Sequence, residues 1–164
     1  MVNPPKVLVG CPVSDYHTYC TQEYLTSIKS LTYPNYNMLL ADNSATDAFY
    51  QMLVKQNIPA VRICYEQSDV KKKIACSRNS LRKKVLEENY DYLLSLEQDV
   101  IPPQDVIEQL LERQKPIVSG VYYNYYPVGN ATALFPVLYR WLTKEEQREM
   151  MGKKELLRQV NPEL

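Results

Sequence analysis

The stretch Leu93-Leu-Ser-Leu-Glu97-Gln98-Asp99-Val-Ile-Pro-Pro103 carries the sharpest chemical pattern in the sequence. Two carboxylates, Glu97 and Asp99, follow an apolar run and stand two positions apart. In an extended chain such residues point to the same side, so both acids are placed to face one hard cation. Magnesium and manganese prefer oxygen ligands and are commonly held by one or two carboxylates plus substrate phosphates. An ion there would neutralise charge developing on a departing diphosphate. The competing reading is an acidic strand end with no ligand, because a bare acidic-x-acidic triplet is common.

Two other clusters suit the same chemistry. Ala75-Cys-Ser-Arg78-Asn79 offers a guanidinium whose fork matches phosphate geometry; its bland reading is a solvated helix face, as for Lys71 to Lys73. Asp42-Asn43-Ser44-Ala45-Thr46-Asp47 offers a carboxylate that can accept a hydrogen bond from a nucleobase N–H. Turn and cap chemistry explains Asn43 to Asp47 equally well.

These clusters need elements to hold them. Lys6 to Cys11 is a short apolar run closed by Pro12, which reads as a buried strand. A helix is expected over Gln22 to Leu31, with Leu25, Ile28 and Leu31 on one face. Met38 to Ala41 reads as a second strand, ending at Asp42. Thr46 or Asp47 is placed to cap a helix through about Gln56. Ala60 to Tyr65 is a third strand and Ile74 to Asn89 a helix carrying Arg78 and Arg82. Tyr92 to Leu96, very apolar, is expected as a central strand. Pro102-Pro103 opens a helix through Arg113, and Pro116 to Tyr123 is a fifth strand. Beyond it, Tyr122 to Pro127 leads into an irregular aromatic segment, and Thr143 to about Gly152 reads as a charged helix with Thr143 as cap.

Alternating strands and helices imply an α/β fold with a mostly parallel central sheet. Ligands of such sheets bind beyond the carboxyl ends of the strands. Pro12 to Asp15, Asp42 to Ser44 and Glu97 to Asp99 all fall there, so they are expected to form one site.

Composition narrows the function further. Lysine plus arginine and aspartate plus glutamate both number 19, which argues against a nucleic-acid surface. With only 4 glycines, and neither Gly-x-Gly-x-x-Gly nor Gly-x-x-x-x-Gly-Lys, a dinucleotide fold or P-loop is disfavoured. A nucleotide would have to be held by side chains and metal. No apolar run approaches the roughly 20 residues of a membrane span, and the N-terminus lacks a secretory pattern. The expectation is a cytoplasmic protein, with peripheral membrane contact left open. The cysteines, Cys11, Cys20, Cys64 and Cys76, lack zinc-ligand spacing. They read as reduced thiols, with Cys11 and Cys64 in apolar strands. A Cys20–His17 catalytic pair is a weaker alternative that lacks an orienting third group. Tyr122 to Tyr126 could stack on a sugar or base, though packing at a sheet edge is the commoner role.

Taken in order, these motifs resemble family 2 glycosyltransferases of the GT-A fold. Tyr33-Pro-Asn-Tyr36 followed by Leu40-Ala-Asp-Asn-Ser-Ala-Thr-Asp47 is similar to the family's opening segment. Cys76-Ser-Arg-Asn79 is similar to its Ala-Arg-Asn stretch, and Tyr92 to Val100 to its strand ending in Asp-x-Asp. The resemblance spans roughly residues 6 to 123. It implies a Rossmann-like three-layer α/β sandwich, a nucleotide-diphosphate sugar donor, a divalent metal (Mn2+ or Mg2+), and transfer to an acceptor that could be glycan, lipid or protein. It implies nucleotide contacts from Pro12, Val13 and Asp15, a nucleobase contact from Asp42, a nucleotide-side arginine in Arg78, and metal ligation by Asp99. Glu97 stands where the family has its first aspartate and is shared between ribose and metal roles.

The expected organisation is one domain over 1–164, with a nucleotide-sugar-binding core at 6–123 and an irregular and helical extension at 124–164. The family places its acceptor-side base well beyond the Asp-x-Asp strand, and the chain reads as truncated or naturally short. Glu145, Glu146 and Glu149 lie on a charged helix, so no general base is assigned. Two alternatives stay open. One is a non-catalytic nucleotide-sugar-binding module; the other is a nucleotidyltransferase, disfavoured by the absence of a glycine-rich phosphate loop.

Overall fold

A computed structural model describes residues 3–63, 69–121, 123–129, 131–136, 144–145 and 148–149. The chain falls into two compact units, Met1–Val118 and Ser119–Leu164.

The first unit is a layered α/β structure. Its sheet has four parallel strands, β1 (Val7–Val13), β2 (Tyr36–Asp42), β3 (Ala60–Arg62) and β4 (Tyr92–Ser95), in the order β3-β2-β1-β4. Every residue of β1 is buried, as its uninterrupted apolar run requires of a strand covered on both faces. Val7, Val9, Cys11 and Val13 share one face. They pack with Tyr24, Leu25 and Ile28 of α1 (Thr18–Lys29), Phe49 and Leu53 of α2 (Ala48–Lys55), and Ile107 of α4 (Val106–Leu111). The opposite face meets α3 (Val70–Glu87): a Cβ on Gly10 would come within 3.1 Å of Leu81 Cδ1 and 3.0 Å of Leu93 Cδ1. Glycine in mid-strand thus lets the helix approach closely. The result is the parallel central sheet that the alternating pattern implied, in the three-layer α/β architecture that the resemblance implied.

Several boundaries differ from expectation. α3 begins at Val70 rather than Ile74, because Asp69 caps it, its Oδ1 accepting the Lys71 N–H at 2.9 Å. α1 starts at Thr18, earlier than expected, and α4 is confined to Val106–Leu111. Asp47 stands at the start of α2, but its side chain makes no cap bond; the carboxylate is engaged by Arg62 instead. β4 is an edge strand of this sheet among the described residues, not a central one. β1 takes the central place, and Tyr92 and Leu93 remain 42% and 38% exposed. Among the described residues, β4 packs its apolar side chains against Gly10 and the core and has a strand neighbour on one side.

The second unit contains β5 (Tyr123–Val128) and β6 (Ala131–Pro136), an antiparallel pair. Gly129, at φ 61°, lies in the connection, where a left-handed conformation favours glycine. The expected strand at 116–123 is therefore displaced: residues 116–121 form no strand, and pairing starts at Tyr123. The segment expected to be irregular supplies a hairpin. Cys64, Tyr122 and Thr143 lie outside the described residues. Of the charged helix proposed to follow Thr143, residues 144–145 and 148–149 are helical.

Candidate functional site

The carboxyl ends of β1, β2 and β4 open onto one cleft of about 530 Å³, a volume ordinary for a small-molecule site. Its walls come from the segment after β1 (Pro12 to His17), the segment after β2 (Asn43 to Ala45), the start of α3 (Val70, Lys73, Ile74) and Glu97-Gln98-Asp99 after β4. Parallel pairing brings these ends level. Val13 is opposite Asp42, and Leu96 continues the ladder by donating its N–H to the Gly10 carbonyl at 3.0 Å.

Glu97 and Asp99 both line the cleft, though not as consecutive extended residues. The chain turns there, closed by the Val100 N–H donating to the Glu97 carbonyl at 3.2 Å. Gln98 points the other way and is only 3% exposed. It accepts the Ser14 N–H and donates to Thr21 Oγ1 and the His17 carbonyl. The turn separates two outward acids from one inward amide.

The two acids differ in surroundings. Glu97 is paired with the guanidinium of Arg78, reaching across from α3, with both side chains about half exposed. Asp99 is exposed, and no cation or hydrogen-bond donor among the described residues is bonded to its carboxylate. Pro12, Val13 and Asp15 line the cleft as the sequence suggested. Arg78 is joined to it through Glu97. Asp42 sits beneath the wall, fully buried. One of its oxygens accepts the N–H and hydroxyl of Ser44, and the other accepts Arg62 Nη1 at 3.0 Å.

Several residues of the site escaped sequence reading. In the sequence Lys73 reads, with Lys71 and Lys72, as part of a solvated helix face. It is the one lysine or arginine lining the cleft among the described residues, and its signal was helical periodicity once the helix is started at Asp69. Arg62 and Gln98 had no local signal, since each acts on partners brought near by the sheet. Asn43 ties the wall to α3, its Nδ2 donating to Ser77 Oγ at 3.1 Å.

The Cys20–His17 alternative finds no support. Cys20 Sγ faces the carbonyls of His17 and Gln98, and His17 Nδ1 lies 3.4 Å from the Tyr19 hydroxyl. Burial, and then the charge of Asp99, push the Cys20 thiol up, away from the thiolate a nucleophile needs.

Acids and a cation at the carboxyl edge of a parallel sheet suit a phosphorylated ligand, and the comparison with known families is decisive. A model described as glycosyl transferase family 2 matches residues 20–163. The chain belongs to this family. A search of curated proteins found no match. Family 2 membership makes the protein a glycosyltransferase in general terms, with a nucleotide-sugar donor and an acceptor as the implied partners. Divalent metals are common in the family. Among the described residues, no three or more His, Cys, Asp or Glu side chains converge on a point. Among the described residues, no helix is long and apolar enough to cross a membrane.

Proposed function

We propose that the cleft binds a nucleotide-diphosphate sugar together with Mn2+ or Mg2+, and that the chain supplies the donor side of sugar transfer to an acceptor hydroxyl. The observation that carries this reading is the contrast between Asp99, open to the cleft, and Glu97, already matched by Arg78.

Charge supports it. With Glu97 and Arg78 compensating one another, the remaining charged lining residues are Asp15 and Asp99 against Lys73. A diphosphate would be repelled by that balance, and a divalent cation at Asp99 reverses it. When bound, the cation stabilises negative charge on the departing diphosphate. Lys73 adds a point charge on the α3 side, and Pro12, Val13, Asp15 and the Asn43–Ala45 wall hold the nucleoside end. Transfer breaks the bond between the anomeric carbon and the diphosphate oxygen and forms one to the acceptor oxygen, whose proton leaves.

Calorimetry with a panel of nucleotide sugars, with and without manganese, tests the reading. Binding should require the metal. Asp99→Asn should weaken it more than about tenfold, equivalent to about 1.4 kcal/mol. Failure of every donor to bind, or unchanged binding by Asp99→Asn, would overturn it. Metal-dependent release of free sugar separates an enzyme from a binding module.

A further inference from the structure

We propose that Arg62 is a positioning residue for the nucleoside end of the cleft, acting through Asp42 and Ser44 on the backbone of Asp15. The inference rests on the donor reading above and assigns Asp42 a task other than direct contact with a base.

The relay starts in strand register. β2 and β3 pair in parallel with Asp42 opposite Arg62, so the guanidinium is delivered to the end of β2. From there it spans the whole 42–47 turn. Its Nη1 donates to Asp42 Oδ2 at 3.0 Å, its Nη2 to the Ser44 carbonyl at 2.6 Å and its Nε to Asp47 Oδ1 at 2.9 Å. Nη1 also donates to the Asp42 carbonyl at 3.3 Å, and a planar fork can satisfy four acceptors at once only if they are held in one arrangement.

Asp42 passes the constraint on. It is fully buried, and its Oδ1 accepts the Ser44 N–H at 3.0 Å as well as the Ser44 hydroxyl. A hydroxyl has a single hydrogen. With that hydrogen given to Asp42, Ser44 Oγ can only accept at its remaining side, and it accepts the Asp15 N–H at 2.9 Å. Asp15 and Ser44 both line the cleft, on walls that come from different strands. A backbone bond from Asn43 N–H to the Val13 carbonyl, 2.9 Å, fixes the two walls at their base. The Ser44–Asp15 bond fixes them further out, where a ligand would sit.

Three hydrogen bonds and full burial leave the Asp42 carboxylate closed to a ligand. Its charge is spent on Arg62 and Ser44. The surface offered to a nucleoside is the wall those bonds position.

Binding of nucleoside diphosphates and of inorganic pyrophosphate, each with manganese, separates positioning from general loss of structure. Ser44→Ala removes the link to Asp15 while leaving the Arg62–Asp42 pair intact. Arg62→Lys keeps the charge but cannot span these four acceptors. Both variants should weaken the best-bound nucleoside diphosphate by about tenfold, with pyrophosphate affinity within about twofold of wild type. Should Arg62→Lys fail to fold, Ser44→Ala decides alone. Wild-type nucleoside affinity in Ser44→Ala, or equal loss of both ligands, would overturn the relay. Wild-type protein that binds no nucleoside diphosphate overturns the donor reading, and the relay with it.

Discussion

Gln98 Oε1 accepts the Ser14 backbone N–H at 2.9 Å, joining the turn after β4 to the segment after β1. The same side chain donates from Nε2 to Thr21 Oγ1 at 2.9 Å and to the His17 carbonyl at 3.3 Å. The middle residue of the acidic triplet therefore holds the two flanking acids at a fixed place relative to β1.

Replacing Gln98 should consequently damage both stability and the cleft. Gln98→Leu keeps the bulk and strands the Ser14 N–H. Leaving a buried polar group unsatisfied costs about 1–3 kcal/mol, and a loss of that size is expected in denaturant unfolding. Metal-dependent donor affinity should fall as well, because the turn carrying Asp99 loses its anchor. Unfolding at wild-type denaturant concentration would show that Gln98 is a spacer.

Arg78 and Glu97 should behave as a compensating pair. An exposed ion pair contributes roughly 0–1 kcal/mol to stability, so neither single substitution should unfold the protein. Arg78→Gln, however, leaves the Glu97 charge uncompensated in a cleft proposed here to hold a diphosphate, and donor binding should weaken. Adding Glu97→Gln should recover part of that loss. A double-mutant cycle on donor affinity measures the coupling; additive effects would mean that the pair does not regulate the charge of the cleft.

Lys73 should contribute where its neighbours do not. Lys73→Gln should reduce donor affinity several-fold, and the reduction should shrink at high salt, because a partly solvated charge is screened. Lys71→Gln should leave affinity unchanged, since Lys71 is exposed and does not line the cleft. Equal effects from the two would indicate a diffuse field rather than a contact.

Legibility in the sequence followed the range of the interactions. The Lys6–Cys11 run announced β1, because a strand buried on both faces needs a continuous apolar segment. The placement of Asp15, Glu97 and Asp99 on one edge followed from alternating elements and their carboxyl ends. What stayed hidden depended on tertiary register. Arg62 matters because β3 lies beside β2 with Asp42 opposite it, and Gln98 because the chain turns after Leu96. Glu97 and Asp99 share the cleft through that turn rather than through strand alternation. Tyr92 to Leu96 looked central because apolarity reports burial against neighbours without naming which ones. A carboxylate at a strand end gives no sign that an arginine from the next strand pairs with it, as Arg62 does with Asp42.

Cys11 offers a test of the core that is independent of the ligand. Burial pushes its thiol up from an ordinary 9.0 to about 12, because the thiolate would lose its hydration inside the sheet. The neutral form is thus favoured in the folded chain more than in the unfolded one. The folded state holds the proton between those two values while the unfolded state releases it. Stability from this group is fully present below about pH 9 and is lost as pH rises towards 12, at about 1.4 kcal/mol per unit. Urea unfolding across that range should show a steeper decline for wild type than for Cys11→Ala, which removes the titrating thiol and leaves the other groups in place. Parallel declines in the two proteins would mean that Cys11 ionises as readily folded as unfolded, and that the sheet face it occupies is open to water.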